Sequence, residues 1–273
     1  MALNAAVVAH YGRGDLLARI EAGLRAAGKD PAHPTIDDLA PIDEFHARGR
    51  EATVELAELL PSSVETEVLD VGSGLGGPAR FLAATRGLRV VGIDLTPDYV
   101  TVATELSRRC GLADRVRFLT GDATDLPFPP ASFAAAYTQH VAMNIEDKPA
   151  LYASVARVLR PGAAFVIYDI LRGSGGEAVY PTPWSEDGST SFLVDLAAMC
   201  HLLTRSGFTV EEHRERGAES LAWFEARAKL AGGPPPTGIH LLLGPLFEPA
   251  FKNLVANLRS GSIVPTFVRA VRN

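Results

Sequence analysis

Apolar and polar positions change rhythm along this chain. Between residues 12 and 28, Leu16, Leu17, Ile20 and Leu24 recur at helical steps, which predicts an amphipathic helix. Residues 30–41 contain prolines and read as a connector, and a second helix is predicted over 42–60, stopping at Pro61. From Glu67 the apolar runs shorten to strand length, at 68–71, 88–94, 116–120, 133–138 and 164–170. Helical stretches over 78–85, 97–110 and 147–159 alternate with them, and Arg160-Pro161-Gly162 reads as a sharp turn. Past Leu171 the chain is irregular to about 191. A helix over 192–206 and a strand over 208–213 follow, then two helical stretches either side of 232–238, then a strand over 263–271. Pro265 in that strand suits an edge or an early position, because it has no N–H to give a ladder. Strand–helix alternation with short links predicts an α/β fold with a doubly wound, Rossmann-like parallel sheet. The first sixty or so residues precede any strand and form a helical cap added to it.

Composition narrows the partners. The formal net charge is −6 with a pI near 5.7. A nucleic-acid binder needs a basic face to displace phosphate counterions, so nucleic acid is not expected. No apolar run has the length of a membrane span, and no basic segment precedes the short apolar start, so neither a membrane nor a signal peptide is expected. Cytoplasm is the expected compartment, and Cys110 and Cys200 are read as buried reduced thiols. His201, His213 and His240 lack metal-ligand spacing, so no metal is predicted.

Ligands of such sheets sit past the carboxyl ends of the strands, where strand order reverses. The strongest motif lies there: Asp70-Val71-Gly72-Ser73-Gly74-Leu75-Gly76-Gly77 joins a strand to a helix. Its glycines admit a ligand close to the backbone, and the helix start carries positive partial charge. Gly72, Gly74 and Gly77 also satisfy the dinucleotide pattern G-x-G-x-x-G. Asp94 ends the second strand, where a carboxylate can accept from both ribose hydroxyls. Asp122, in Gly121-Asp122-Ala123-Thr124-Asp125, can accept from an adenine amine, with Leu95 and Ala123 against the ring.

Taken in order, VLDVGSGLGG (68–77), VVGIDLTP (90–97), GDATDLPFP (121–129) and LRPGAAFVIYD (159–169) resemble the class I S-adenosylmethionine-dependent methyltransferases. The resemblance implies a seven-stranded sheet with its last strand antiparallel and S-adenosylmethionine as cofactor. It places Asp70, Gly72, Gly74 and Gly76 at the methionine part, Asp94 at the ribose, and Asp122 and Ala123 at the adenine. Tyr137-Thr138-Gln139-His140-Val141-Ala142-Met143-Asn144-Ile145, residues 37–46 with Ala52-Thr53, and Tyr11-Gly12-Arg13-Gly14 are similar to the sarcosine/dimethylglycine N-methyltransferase-like (type 11) group. That wider group also holds O- and C-methyltransferases, so it leaves the acceptor open. The implied organisation is a lid over 1–62 and a methyltransferase domain over 63–273, with acceptor-site insertions after residue 171.

Methyl transfer is a direct displacement, and an oxygen or carbon acceptor also needs a base. His140, just past the fourth strand, is the expected base or acceptor-positioning group. Asp169, ending the fifth, is expected to orient it. Gln139 is read as a cofactor contact or pocket wall. Tyr11 and His46 are expected to line the pocket from the lid, and Tyr180 and Trp184 to contact the acceptor from the loop after the fifth strand. Trp223 and Phe224 follow helical spacing and read as core. Arg13, Arg48, Arg172 and Arg205 are open candidates for an anion clamp. The expected partner is a small molecule, and the chain is expected to be a monomer or homodimer. Two other readings stand beside this one: an NAD-dependent oxidoreductase, on the glycine pattern, and a non-catalytic S-adenosylmethionine-binding protein.

Overall fold

The computed structural model describes residues 2–11, 14–62, 67–229 and 235–273. Four helices precede the sheet: α1 (Ala2–Tyr11), α2 (Leu16–Ala26), α3 (Ile36–Asp43) and α4 (Arg50–Leu59). The prediction placed a connector over 30–41 and one helix over 42–60; two helices with a break between them stand there instead. A capping box starts α3, with the Thr35 hydroxyl accepting from the Asp38 N–H and the Asp38 carboxylate accepting from the Thr35 N–H. Pro41 lies inside α3, two residues from its end, and leaves the Asp37 carbonyl without its helical N–H donor. The chain then turns through Arg48 and Gly49, both at positive φ, before α4 begins. Helix α1 was not foreseen, and residues 12–13 of the first predicted helix lie outside the described residues.

The strands are β1 (Glu67–Val71), β2 (Arg89–Asp94), β3 (Val116–Thr120), β4 (Phe133–Gln139), β5 (Leu159–Arg172), β6 (Phe208–Glu215) and β7 (Ile263–Arg272). They form one sheet in the order β3-β2-β1-β4-β5-β7-β6. Neighbours from β3 to β5 pair in parallel, and β7 runs antiparallel to both β5 and β6. This is the seven-stranded α/β sheet that the resemblance implied. Pro265 holds an early position in β7, which is an interior strand. Pro265 pairs with Ile170 on one side, while the β6 ladder starts only at Thr266. The turn expected at 160–162 is drawn into a long β5, with Gly162 at φ 78.

Strand alternation sorts side chains to two faces. Val68, Tyr137, Val166, Tyr168, Ile170 and Phe267 enter one buried cluster; Leu69, Val71, Ala136, Phe165, Ile167 and Val268 enter the other. Around the sheet lie α5 (Gly77–Arg86), α6 (Pro97–Arg109), α7 (Lys148–Val158), α8 (Leu196–Arg205), α9 (Gly217–Ala228), α10 (His240–Leu243) and α11 (Phe247–Ser260). The helix expected from 192 starts at Leu196, capped by Asp195. Residues 230–234, which include the first part of the predicted break at 232–238, lie outside the described residues. A third cluster joins Leu16, Ile20 and Leu24 of α2 and Leu39 and Ile42 of α3 to Val102 and Leu106 of α6. Both cysteines are free and half-buried rather than buried. Among the described residues no helix is long and apolar enough to cross a membrane.

One buried ion pair fixes the cap to the sheet. Arg80 on α5 is fully buried and donates to the Asp43 carboxylate at 2.5 Å, to the Leu75 carbonyl at 2.7 Å and to the Ser107 hydroxyl at 3.0 Å. The contact at the start of α5 is so close that a Cβ on Gly77 would stand 2.5 Å from the Asp43 carbonyl oxygen. The chain leaving α3 at this clamp is the stretch that carries Phe45 and His46.

Candidate active site

A cavity of about 470 Å3 opens past the carboxyl ends of β1, β2 and β4. Beside it the backbone between β1 and α5 turns through Gly72, Gly74 and Gly76, all at positive φ. A Cβ on Gly72 would come within 2.2 Å of Val141, whereas the space beside Gly74 is open. Gly72 and Gly74 line the cavity. Gly76 does not: it caps α5, and its missing side chain makes room for Phe118, to which a Cβ would come within 2.5 Å. Packing against Phe118 by itself accounts for a glycine at this position. We expect Gly72→Ala to cost at least about 1–2 kcal/mol, since a left-handed non-glycine residue is already disfavoured by that much. A denaturant melt checks this, and titration with S-adenosylhomocysteine should show weakened binding.

Asp70 sits in register with Tyr137 across β1 and β4. Burial pushes its carboxyl up to about 8, against the opposing influence of Tyr137, and its Oδ2 is buried without a partner. Asp94 closes the glycine turn. One oxygen accepts from the Gly74 N–H at 2.8 Å and the other from the Thr96 N–H at 2.9 Å. Burial raises its carboxyl, and those two N–H groups pull against it. Each oxygen keeps a lone pair for a further donor. Asp122 accepts from the Thr124 N–H and hydroxyl and, at 2.6 Å, from Asn4 of α1. Burial works to raise Asp122, but the bonds from Thr124 and Asn4 win and hold it low. Leu95, Ala123 and Gln139 complete this half of the cavity. Both amide atoms of Gln139 are buried and unpartnered.

His140 follows β4 in the left-handed region, φ 54, with its N–H donating to the Tyr168 carbonyl at 2.8 Å. A non-glycine residue there is strained, and such strain gathers at functional sites. The turn aims the imidazole into the cavity, with its ring 5.1 Å from Tyr168 and 6.0 Å from His46. Burial and the nearby His46 ring hold His140 well below the usual imidazole range. His46 is itself brought down to about 4 by burial, against the Gly49 carbonyl. That carbonyl lies 3.1 Å from its Nε2, and the Thr53 hydroxyl, which also donates to Glu44 at 2.5 Å, lies 3.1 Å from it too. Both imidazoles are neutral at pH 7.

Asp169 departs from the expectation. Neighbours on a strand face opposite sides. The Tyr168 ring packs on His140, so Asp169 points to the other face. It does not line the cavity. It accepts from the Ile170 N–H at 2.8 Å. Burial lifts its carboxyl to about 6, with that N–H and the Lys148 ammonium opposing. Lys148 donates to the carbonyls of Ala142, Ile145 and Phe192 at 2.9, 2.8 and 2.5 Å. It thereby holds the turn after His140 in place.

Helix α1 lies over the cleft. Besides Asn4, it offers His10 to the Pro183 carbonyl at 3.0 Å and the Tyr11 hydroxyl to Asn144 at 3.1 Å. Asn144 in turn donates to the carbonyls of Trp184 and Thr190, at 2.9 and 2.7 Å. Tyr11, His46 and Trp184 line the cavity, Trp184 with its Nε1 donating to Ser191 at 2.9 Å. Tyr180 does not: its ring packs beside Gly188 and serves the loop. Sequence reasoning missed Asn4, Phe45, Tyr99 and Asn144, and it assigned Trp223 and Phe224 to the core alone. Both line the cavity, with Phe251 and Leu254 of α11 beside them. Of the candidate anion clamps, Arg48 binds Glu55, Arg172 binds Asp195 and Arg205 is exposed on α8. None of the three lines the cavity, and Arg13 lies outside the described residues. Among the described residues, no three His, Cys, Asp or Glu side chains are grouped to hold a metal.

Comparison with known proteins fits this geometry. A family model described as a methyltransferase domain matches residues 69–167. An O-methyltransferase of Pyrenophora dematioidea is 30% identical over 205 residues, covering 72% of this chain and 73% of that protein. Erythromycin 3''-O-methyltransferase of Saccharopolyspora erythraea is 39% identical over 123 residues, 45% of this chain and 40% of that protein. The chain spans about half the length of several curated relatives it matches. The crystal structure of geranyl diphosphate C-methyltransferase from Streptomyces coelicolor A3(2), in complex with Mg2+, geranyl-S-thiolodiphosphate and S-adenosyl-L-homocysteine, superposes with a TM-score of 0.74. It has 17% identity and covers 100% of this chain and 99% of that one, a likeness of fold. The chain belongs to the S-adenosylmethionine-dependent methyltransferases. This sets the NAD-dependent oxidoreductase reading aside. S-adenosylmethionine is the cofactor of that family, and the cleft suits it: an unpartnered buried carboxylate and amide, an open glycine turn, and two further carboxylates past β2 and β3.

Proposed function

We propose that this chain methylates a hydroxyl oxygen on a small-molecule acceptor, with His140 as the base. The observation that carries the reading is an imidazole turned into the cavity by a left-handed residue, with burial holding it below its usual range. Asp70 would receive the cofactor's ammonium, and Gly72 and Gly74 would let its methionine part approach the backbone. Asp94 would accept from the ribose hydroxyls and Asp122 from the adenine amine, Leu95 and Ala123 would flank the ring, and Gln139 would satisfy its free amide on the same ligand. S-adenosylmethionine supplies an electrophilic methyl group when bound. His140 would take the acceptor's hydroxyl proton as the oxygen accepts the methyl group, with S-adenosylhomocysteine as the leaving group. Residues 1–62 act as the lid: Asn4, His10 and Tyr11 fasten α1 from the Asp122 end to the Pro183 loop, shutting out water. The segment after residue 171 supplies the acceptor side.

The experiment is mass spectrometry of products from pure protein, S-adenosylmethionine and a panel of amines, phenols and alcohol-bearing aglycones. An added methyl on oxygen supports the proposal. Methylated amines alone would overturn the role of His140, and cofactor binding without any product would favour a non-catalytic protein. Asp70 gives a second test. Its carboxyl, held up to about 8, is mostly protonated at pH 7 and must ionise to pair with an ammonium. Cofactor affinity should therefore rise from pH 6 to about pH 8 and then level. Calorimetry in buffers of differing ionisation enthalpy should show a proton released on binding at pH 7, and Asp70→Asn should abolish that release.

A further inference from the structure

The cavity has two unlike halves. The carboxylates Asp70, Asp94 and Asp122 stand past β1, β2 and β3. Toward β5 and the helices between β6 and β7 the walls are Met143, Trp184, Trp223, Phe224, Phe251 and Leu254. The polar side chains among these apolar walls are the neutral imidazoles of His46 and His140, and the Asn144 amide, whose bonds are already taken by Tyr11, Trp184 and Thr190. Among the described residues lining the cavity there is no arginine or lysine, while Glu146 and Asp147 add negative charge at the start of α7. The aromatic walls are pinned. Trp223 donates from Nε1 to Glu51 on α4 at 3.0 Å and carries the Arg227 guanidinium 3.4 Å from its ring centre. It meets Phe224 edge-on, and Phe224 meets Phe251.

An apolar chamber binds by removing apolar surface from water. A carboxylate or phosphate brought into it would lose its hydration with no cation to replace it, beside groups of its own sign. We propose that this chamber is an acceptor site for uncharged, apolar-bodied alcohols and phenols, and that it rejects carboxylate- and phosphate-bearing acceptors. The proposal rests on the methyltransferase reading of the same cavity. Its apolar walls hold the body of the acceptor, and the unpartnered Nε2 of His140 can accept from its hydroxyl.

The chain has two tryptophans, and both line the chamber, so their emission reports its occupancy. The test titrates full-length protein, saturated with S-adenosylhomocysteine, with 1-decanol, decanoate, and decyl phosphate with and without Mg2+. These ligands share one chain and differ in head group. Decanol should change the emission saturably, with a Kd at least tenfold below those of the two anionic ligands. Phe251→Arg should weaken decanol and tighten decanoate, each about tenfold, with S-adenosylhomocysteine affinity unchanged as evidence of folding. The wild-type comparison decides the selection even if that variant fails to fold. Equal or tighter binding of either anionic ligand overturns the proposal, as does the absence of a decanol response in protein that binds S-adenosylhomocysteine. Failure to bind S-adenosylhomocysteine would overturn the cofactor reading instead.

Discussion

Replacing His140 by alanine should lower the rate of methyl transfer to a hydroxyl acceptor by about 10²–10⁴-fold, the usual worth of a positioned general base. S-adenosylhomocysteine affinity should stay within a few-fold. The pH profile separates a base from a wall residue. Burial and His46 hold the His140 imidazole well below its usual range, so the neutral form persists as pH falls past 6.5. Wild-type turnover should therefore keep its plateau down through pH 6 and lose activity only as pH drops through the depressed value. In His140→Ala that acid limb should vanish, and rate should instead rise with pH as the acceptor ionises by itself. An unchanged acid limb in the alanine variant would show that another group titrates.

Breaking the Arg80–Asp43 pair should cost about 3–5 kcal/mol, because removing one partner strands a buried charge. Asp43→Ala leaves a guanidinium with less than 2% of its surface exposed, still donating to Leu75 and Ser107 but with no counter-charge within contact. Urea unfolding at pH 7 measures the loss. The double variant Asp43→Leu with Arg80→Met should recover most of it, since apolar groups of similar volume often replace a buried pair at little cost. Activity should not return with stability. The Asp43 end of α3 sets where Phe45 and His46 enter the cavity, and the carboxylate is part of that placement.

The sheet was legible in the chain because two physical signals agree there: period-two burial along each strand and glycines at the turn that must take positive φ. Gly72 and Gly74 fell where expected for that reason. Gly76 looked the same in sequence, yet its missing side chain accommodates Phe118 rather than a ligand. The acceptor walls were not legible. Trp223 and Phe224 sit at helical spacing whether the face they form covers a core or a cavity, and nothing local distinguishes the two. Asp169 failed for a different reason. Its alternation with Tyr168 was readable, but the side to which His140 turns depends on a left-handed residue that no pattern announces. The break between α3 and α4 was hidden because Pro41 suggested a connector where a capping box had already begun a helix.

The placement of β7 bears on how the chain assembles. β6 pairs only with β7, and β7 lies between β5 and β6 although it follows both in sequence. Until residues 263–272 arrive, β5 keeps an open edge and β6 has no ladder at all. A nascent chain paused before that point can build the five parallel strands but cannot close the sheet, and its bare β5 edge is open to pairing with another chain. The step that completes this sheet is the insertion of one strand between two that wait for it.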